Sequence, residues 1–119
     1  MSEVKNATIQ DVIAKRKEHS KRHVDTKLIM RGYNYAVNLH GDQKRKSGEP
    51  YIIHPLDVAY ILADIGLDDK TVCAALLHDV VEDTKASQED ITKEFGQEIS
   101  DMVAGVTKLS KISFASVEE

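Results

Sequence analysis

The chain has 119 residues, enough for one domain with a modest core. A net charge of −4 and a pI of about 5.7 exclude a broad basic field, so nucleic acid is not expected as a partner. The single Cys73 excludes an intrachain disulfide, and the absence of an eighteen-residue apolar run or a signal-peptide core predicts a reducing, cytoplasmic setting without membrane contact.

Two prolines and few β-branched alternations predict an all-α fold. Thr8 to Ser20 reads as a short charged helix, with Thr8 as N-cap and Asp11 three residues on. His19 and His23 have the i,i+4 spacing of a metal pair. Lys15, Arg16, Lys17, Lys21 and Arg22 surround them and would repel a cation, so both are expected in solvent. Asp25 caps a longer helix over Thr26–His40, where Leu28, Ile29, Tyr33, Ala36, Val37 and His40 mark one face. His40 at its end complements the helix dipole. Residues 41–50 form a polar loop carrying Lys44, Arg45, Lys46, Ser47 and Gly48. Such a loop is solvated by default, although its cations can also clamp phosphates.

A helical hairpin follows. Ile52 to Ile65 is largely apolar, with Pro55 in a first-turn position that needs no amide donor. Gly66 stops this helix, and Asp68 or Asp69 caps the next one, expected to run unbroken from Thr71 to Asp83. So short a connection favours antiparallel neighbours. His54 and His78 lie twelve residues before and after Gly66, about 18 Å along each helix. Folding the hairpin therefore brings the two imidazoles level.

With His78 at zero on the helical wheel, Glu82 falls near 40°, Asp79 near 100° and Asp83 near 140°, at about 100° per residue. Cys73, Ala74, Leu76, Leu77, Val80 and Val81 form the apolar side, while Val72 and Ala75 leave room beside the acids. Three carboxylates on one stripe repel one another, and a cation facing His54 and His78 would relieve that repulsion. The same stripe also suits the solvated face of an amphipathic helix. Ser87 with Asp90 predicts a further capped helix, broken at Gly96, whose apolar stripe is Ile91, Phe95, Ile99, Met102, Val103 and Val106. From Lys108 to Glu119 the chain turns polar.

Three segments carry a resemblance: Arg45–Pro55, which reads RKSGEPYIIHP; Ala74–Thr84, which reads AALLHDVVEDT; and Gly105–Leu109, which reads GVTKL. In this order and spacing they resemble the hydrolase domain of RelA/SpoT (Rel) alarmone enzymes, of the HD phosphohydrolase superfamily. The resemblance begins near Thr26, so 1–25 is expected as a charged N-terminal extension and 26–119 as a partial HD hydrolase domain. It implies an all-α helical bundle that removes the 3′-pyrophosphate of (p)ppGpp, guanosine tetra- or pentaphosphate, with Mn²⁺ as the usual metal.

Carried onto this chain, His54, His78 and Asp79 would be metal ligands. Glu82 and Asp83 would orient or deprotonate the attacking water. Arg45 would stack on guanine, and Lys46 and Ser47 would contact the nucleotide. Imidazole and carboxylate ligands without thiolate suit Mn²⁺ better than a structural zinc. The family takes a further metal-ligating Asp from a later helix, beyond Leu109, where this chain has none. The chain is therefore expected to be the N-terminal piece of a longer enzyme, with little activity alone and a homo-oligomer formed through the surface that truncation exposes. Two other readings use the same residues: a non-catalytic, nucleotide-binding regulatory module, and an HD hydrolase of another nucleotide. The intact His78-Asp79 pair argues against the first, and Arg45-Lys46-Ser47 against the second.

Overall fold

A computed structural model describes residues 7–20, 23–41, 43, 48 and 50–118, and of residues 109–118 the backbone alone. Seven helices follow in order: α1 Ile9–His19, α2 Thr26–His40, α3 Ile53–Asp64, α4 Asp69–Leu77, α5 Val80–Asp83, α6 Gln88–Phe95 and α7 Gln97–Glu118. The expected all-α class holds. None of the described helices is long and apolar enough to cross a membrane.

Local chemistry sets most helix ends. Thr8 and Ser87 each accept from the backbone N–H three residues on, and the Asp at that position returns a bond to the cap backbone. Each capping box thus satisfies two amides that the helix leaves over. Asp25 caps α2 through Leu28 N–H, and Asp68 caps α4 through Thr71 N–H. Gly66 follows the end of α3 and Gly96 ends α6, at φ of 91° and 97°. A Cβ is disfavoured in that left-handed region.

The core is organised around α4, whose residues Val72 to Leu77 are all buried. Val72, Ala75 and Leu76 pack with Ile9 and Val12 of α1, Ile29 of α2 and Leu56, Ala59 and Ala63 of α3. Cys73, Ala74 and Leu77 join Ala36 of α2, Ile91 of α6, and Ile99 and Val103 of α7. The expected open arc at Val72 and Ala75 is therefore corrected: α3 and α1 fill it, and α4 has no polar face along that stretch. α1 likewise contributes Ile9 and Val12 to the same core as α3 and α4.

Gly32 lets α2 approach α4 closely, since a Cβ there would lie 2.8 Å from Cys73 Sγ. Burial pushes the Cys73 thiol up to about 12, so it stays protonated and serves as a packed core side chain. Buried Ser100 latches α6 to α7 through Gln88 and Thr92. That places α7 against α4, and so against the end of α4 that carries His78.

Candidate metal centre

The hairpin of α3 and α4 brings His54 and His78 together, with ring centroids 5.4 Å apart. His54 sits in the first turn of α3, just before the buried Pro55 that begins the packed face of that helix. The helix expected to run unbroken to Asp83 instead stops at Leu77 and resumes at Val80. His78 supplies a physical reason. Its ring Nδ1 lies 2.6 Å from the Ala75 carbonyl, the acceptor that Asp79 N–H would use in an unbroken α-helix. The His78 backbone N–H also reaches this carbonyl, at 3.4 Å, so ring and backbone together close α4 in a tighter turn before Asp79.

This contact also fixes the tautomer. A carbonyl only accepts, so His78 Nδ1 carries the proton and Nε2 presents its lone pair. Nε2 of His78 lies 3.3 Å from Asp79 Oδ1, and Nε2 of His54 lies 3.8 Å from Asp79 Oδ2. One carboxylate therefore faces both imidazoles. The Thr107 hydroxyl of α7 shares its proton between the His78 carbonyl at 3.0 Å and the Val103 carbonyl of its own helix at 2.9 Å, touching the turn from the other side.

One ligand atom from each of His54, His78 and Asp79 can be chosen so that all three lie within 4.8 Å of one another. Two donors that share one ion through bonds of about 2.0–2.2 Å stand no more than about 4.4 Å apart, so these three would have to draw together to hold one. The donors are chemically matched to a divalent cation, because imidazole lone pairs facing carboxylate oxygens repel unless a proton or a metal lies between them. His78 is nearly inaccessible, Asp79 is mostly covered and His54 is the most open, which leaves one side of the cluster toward solvent.

Asp83 lies beside this group. Burial pushes its carboxyl above the ordinary range, and the charges of Asp79 and Glu82 push it further, against the opposing pull of His40 and His78. The structure thus brings together His54, His78 and Asp79, with Asp83 as an electrostatic neighbour and Glu82 next to it on the same turn. Arg45, Lys46 and Ser47 lie outside the described residues. His19 and His23 are exposed, as their basic surroundings implied.

The HD domain family matches residues 32–119. The chain belongs to this family. Among similar proteins, the guanosine-3′,5′-bis(diphosphate) 3′-pyrophosphohydrolase of Aquifex aeolicus is 45% identical over 116 residues, 98% of this chain and 16% of that protein. A probable enzyme of the same name from Synechocystis is 53% identical over 92 residues, 77% of this chain and 12% of its own length. The GTP pyrophosphokinase of Myxococcus xanthus is 49% identical over 89 residues, 75% of this chain and 12% of that protein. The HD domain described here thus spans less than a fifth of the length of these relatives.

Three residues that support the site were not singled out for that role from the sequence. Thr107 belongs to a quoted motif, but its bond to His78 joins positions 29 apart. His40, read both on the face of Leu28, Ile29, Tyr33, Ala36 and Val37 and against the helix dipole, is 2% exposed and also bonded to Gln43. Its recurrence four residues after the buried Ala36 was the available signal of burial. For Gln43 there was none.

The raised Asp83 carboxyl gives a test of the acidic turn. Because the folded state holds this proton more tightly than the unfolded state, ionising Asp83 costs stability as pH rises through its folded value. Asp83→Asn in the HD domain, with chelator present, is therefore expected to raise Tm at neutral pH. The advantage should vanish once pH falls below the ordinary carboxylate range, where the wild-type group is also neutral. Thermal melts across pH measure it, and a Tm lowered at neutral pH would contradict the crowding of charge.

Proposed function

We propose that the protein is a metal-dependent phosphohydrolase that removes the 3′-pyrophosphate of (p)ppGpp, yielding GDP or GTP and pyrophosphate in the cytoplasm. The observation that carries this reading is the cluster of His54, His78 and Asp79 with the half-buried Asp83 beside it. The similarity to the guanosine-3′,5′-bis(diphosphate) 3′-pyrophosphohydrolase of Aquifex aeolicus supports the substrate. Other relatives are named GTP pyrophosphokinase, and this chain covers a similarly small part of both sets of proteins. An imidazole and carboxylate cluster beside an acidic base suits hydrolysis.

His54, His78 and Asp79 would hold a divalent cation, Mn²⁺ by the donor set and the family resemblance. A cation bound there supplies positive charge against the phosphates and makes a water more acidic. Glu82 and Asp83 orient that water and accept its proton. Burial raises the Asp83 carboxyl from its ordinary value, which makes it a better proton acceptor than an exposed aspartate. In the reaction the water oxygen bonds to phosphorus, the bond to the ribose 3′ oxygen breaks, and that oxygen leaves with a proton. Arg45 stacks on guanine, and Lys46 and Ser47 contact the nucleotide from the loop between Gln43 and Tyr51, residues joined by a backbone hydrogen bond of 3.3 Å.

The test is release of pyrophosphate from ppGpp by the full-length protein, with and without Mn²⁺, against a panel of other nucleotides. Manganese-dependent release from ppGpp alone is the expected result. Binding of nucleotide without turnover would favour a regulatory module, and turnover of other nucleotides only would move the substrate assignment.

A further inference from the structure

His40 ends α2 with its ring 2% exposed, although an imidazole buried this deeply is costly unless its nitrogens are bonded. Nδ1 lies 3.1 Å from Gln43 Oε1. On its other side, Gln43 Nε2 donates to the Asp83 carbonyl at 2.7 Å. That carbonyl only accepts, so the amide group of Gln43 must face it and the Gln43 oxygen must face His40. His40 Nδ1 therefore carries the proton. Nε2 is left buried, without a hydrogen-bond partner among the described residues.

The surroundings hold this ring in place. It stacks flat on Tyr51, with centroids 5.3 Å apart and planes 5° from parallel. Gln43 N–H donates to the His40 carbonyl at 2.9 Å, and Tyr51 N–H donates to the Gln43 carbonyl at 3.3 Å. The end of α2, the approach to α3 and the end of α5 thus meet at Gln43. α5 has only four residues. A single helical turn has no independent stability, so its anchors determine where Glu82 and Asp83 stand. An apolar side chain would fill the His40 site without stranding a nitrogen, which leaves the Nδ1 bond as the reason for an imidazole there.

We propose that His40 is a positioning residue for the acidic pair: through Gln43 it fixes the Asp83 carbonyl, and with it the turn that carries Glu82 and Asp83 beside the metal ligands. The proposal rests on the hydrolase reading above. His40 acts on the chemical step through Gln43, separately from the metal, because the hydrogen bonds described for it lead through Gln43 to α5.

Two substitutions separate this role from simple packing. Asn places its amide nitrogen two bonds from Cβ, as His places Nδ1, so His40→Asn keeps the donor. His40→Leu fills the space without one. In the full-length protein, His40→Leu is expected to lower kcat for ppGpp by about 10²-fold, the scale of a misplaced catalytic group. KM and Mn²⁺ affinity should stay close to wild type. His40→Asn should recover most of the loss, and Gln43→Glu, which presents an acceptor to the Asp83 carbonyl, should match His40→Leu. ¹⁵N NMR of the wild type should find the His40 proton on Nδ1.

Full kcat in His40→Leu, equal damage from Asn and Leu, loss of Mn²⁺ affinity alongside kcat, or a proton on Nε2 would each overturn the proposal. A wild-type protein that leaves ppGpp intact removes the hydrolase reading and this inference with it. Turnover by wild type together with any of those four results removes this inference alone.

Discussion

His78→Ala is expected to abolish specific Mn²⁺ binding and, with it, hydrolysis of ppGpp. The ring does two things that alanine cannot do: its Nδ1–H occupies the Ala75 carbonyl, and that bond presents Nε2 to the cluster. Loss of an outer partner of a metal ligand typically costs about 10–100-fold in affinity or activity. Loss of the ligand itself should therefore exceed about 10²-fold. Asp79→Ala should do the same, because its two oxygens face both imidazoles. The three donors act as a unit, so His78→Ala, Asp79→Ala together should be little worse than either alone. Titration calorimetry with Mn²⁺ gives the first readout and pyrophosphate release the second. Wild-type Mn²⁺ affinity in either single variant would remove the proposed centre. Thr107→Val offers a graded case: it removes the hydroxyl shared between the His78 and Val103 carbonyls while keeping every metal donor, and should weaken the metal by less than about 10-fold, the lower end for partners of the ligand group itself.

The residues that were legible in the sequence are those whose partners lie within one turn or one hairpin. Thr8 with Asp11, Ser87 with Asp90, and Asp25 all act on amides three residues away, and the helices begin where these signals predict. The approach of His54 to His78 was also readable, because the two lie equally far along the chain on either side of Gly66, and folding there brings them level. What could not be read was competition for a shared group. A wheel drawn through Thr71–Asp83 assumes that each carbonyl serves the amide four residues on. His78 takes one of those carbonyls with its ring, and the acids turn with the break. The same limit hid the role of His40: its first partner is three residues away in a loop, and its hydrogen bonding reaches the Asp83 carbonyl through a second side chain. Arg16 shows the limit most clearly. Within a run of basic residues it reads as solvated, yet its partner lies 53 positions on and its side chain is 8% exposed.

That pair carries the second large expectation. Arg16 Nε lies 2.6 Å from Asp69 Oδ1, and Asp69 Oδ2 accepts from Asp25 N–H at 2.8 Å. One carboxylate in the first turn of α4 thus ties down α1 and the start of α2. Asp69→Ala takes away the carboxylate bonded to a guanidinium on a face of α1 shared with Ile9 and Val12, leaving it the charge of Asp68 without that bond, and also leaves the Asp25 amide without its acceptor. Breaking a buried pair from one side costs about 3–5 kcal/mol. A domain of this length has about 6–18 kcal/mol of stability in total, so this would be a large fraction. Arg16→Met should cost less: the carboxylate left behind keeps the Asp25 bond, has more access to water and sits at the positive end of the α4 dipole. Combining the two substitutions removes both charges, so the double variant should be more stable than Asp69→Ala alone, with a coupling of about 0.5–3 kcal/mol. Urea unfolding of the four proteins measures each quantity. If Asp69→Ala cost no more than Arg16→Met, the pair would be a solvated surface contact rather than the joint between α1 and α4. Mn²⁺ affinity of the folded Asp69→Ala protein should stay near wild type, because His78 lies at the opposite end of α4 and is held there by Ala75 and Thr107.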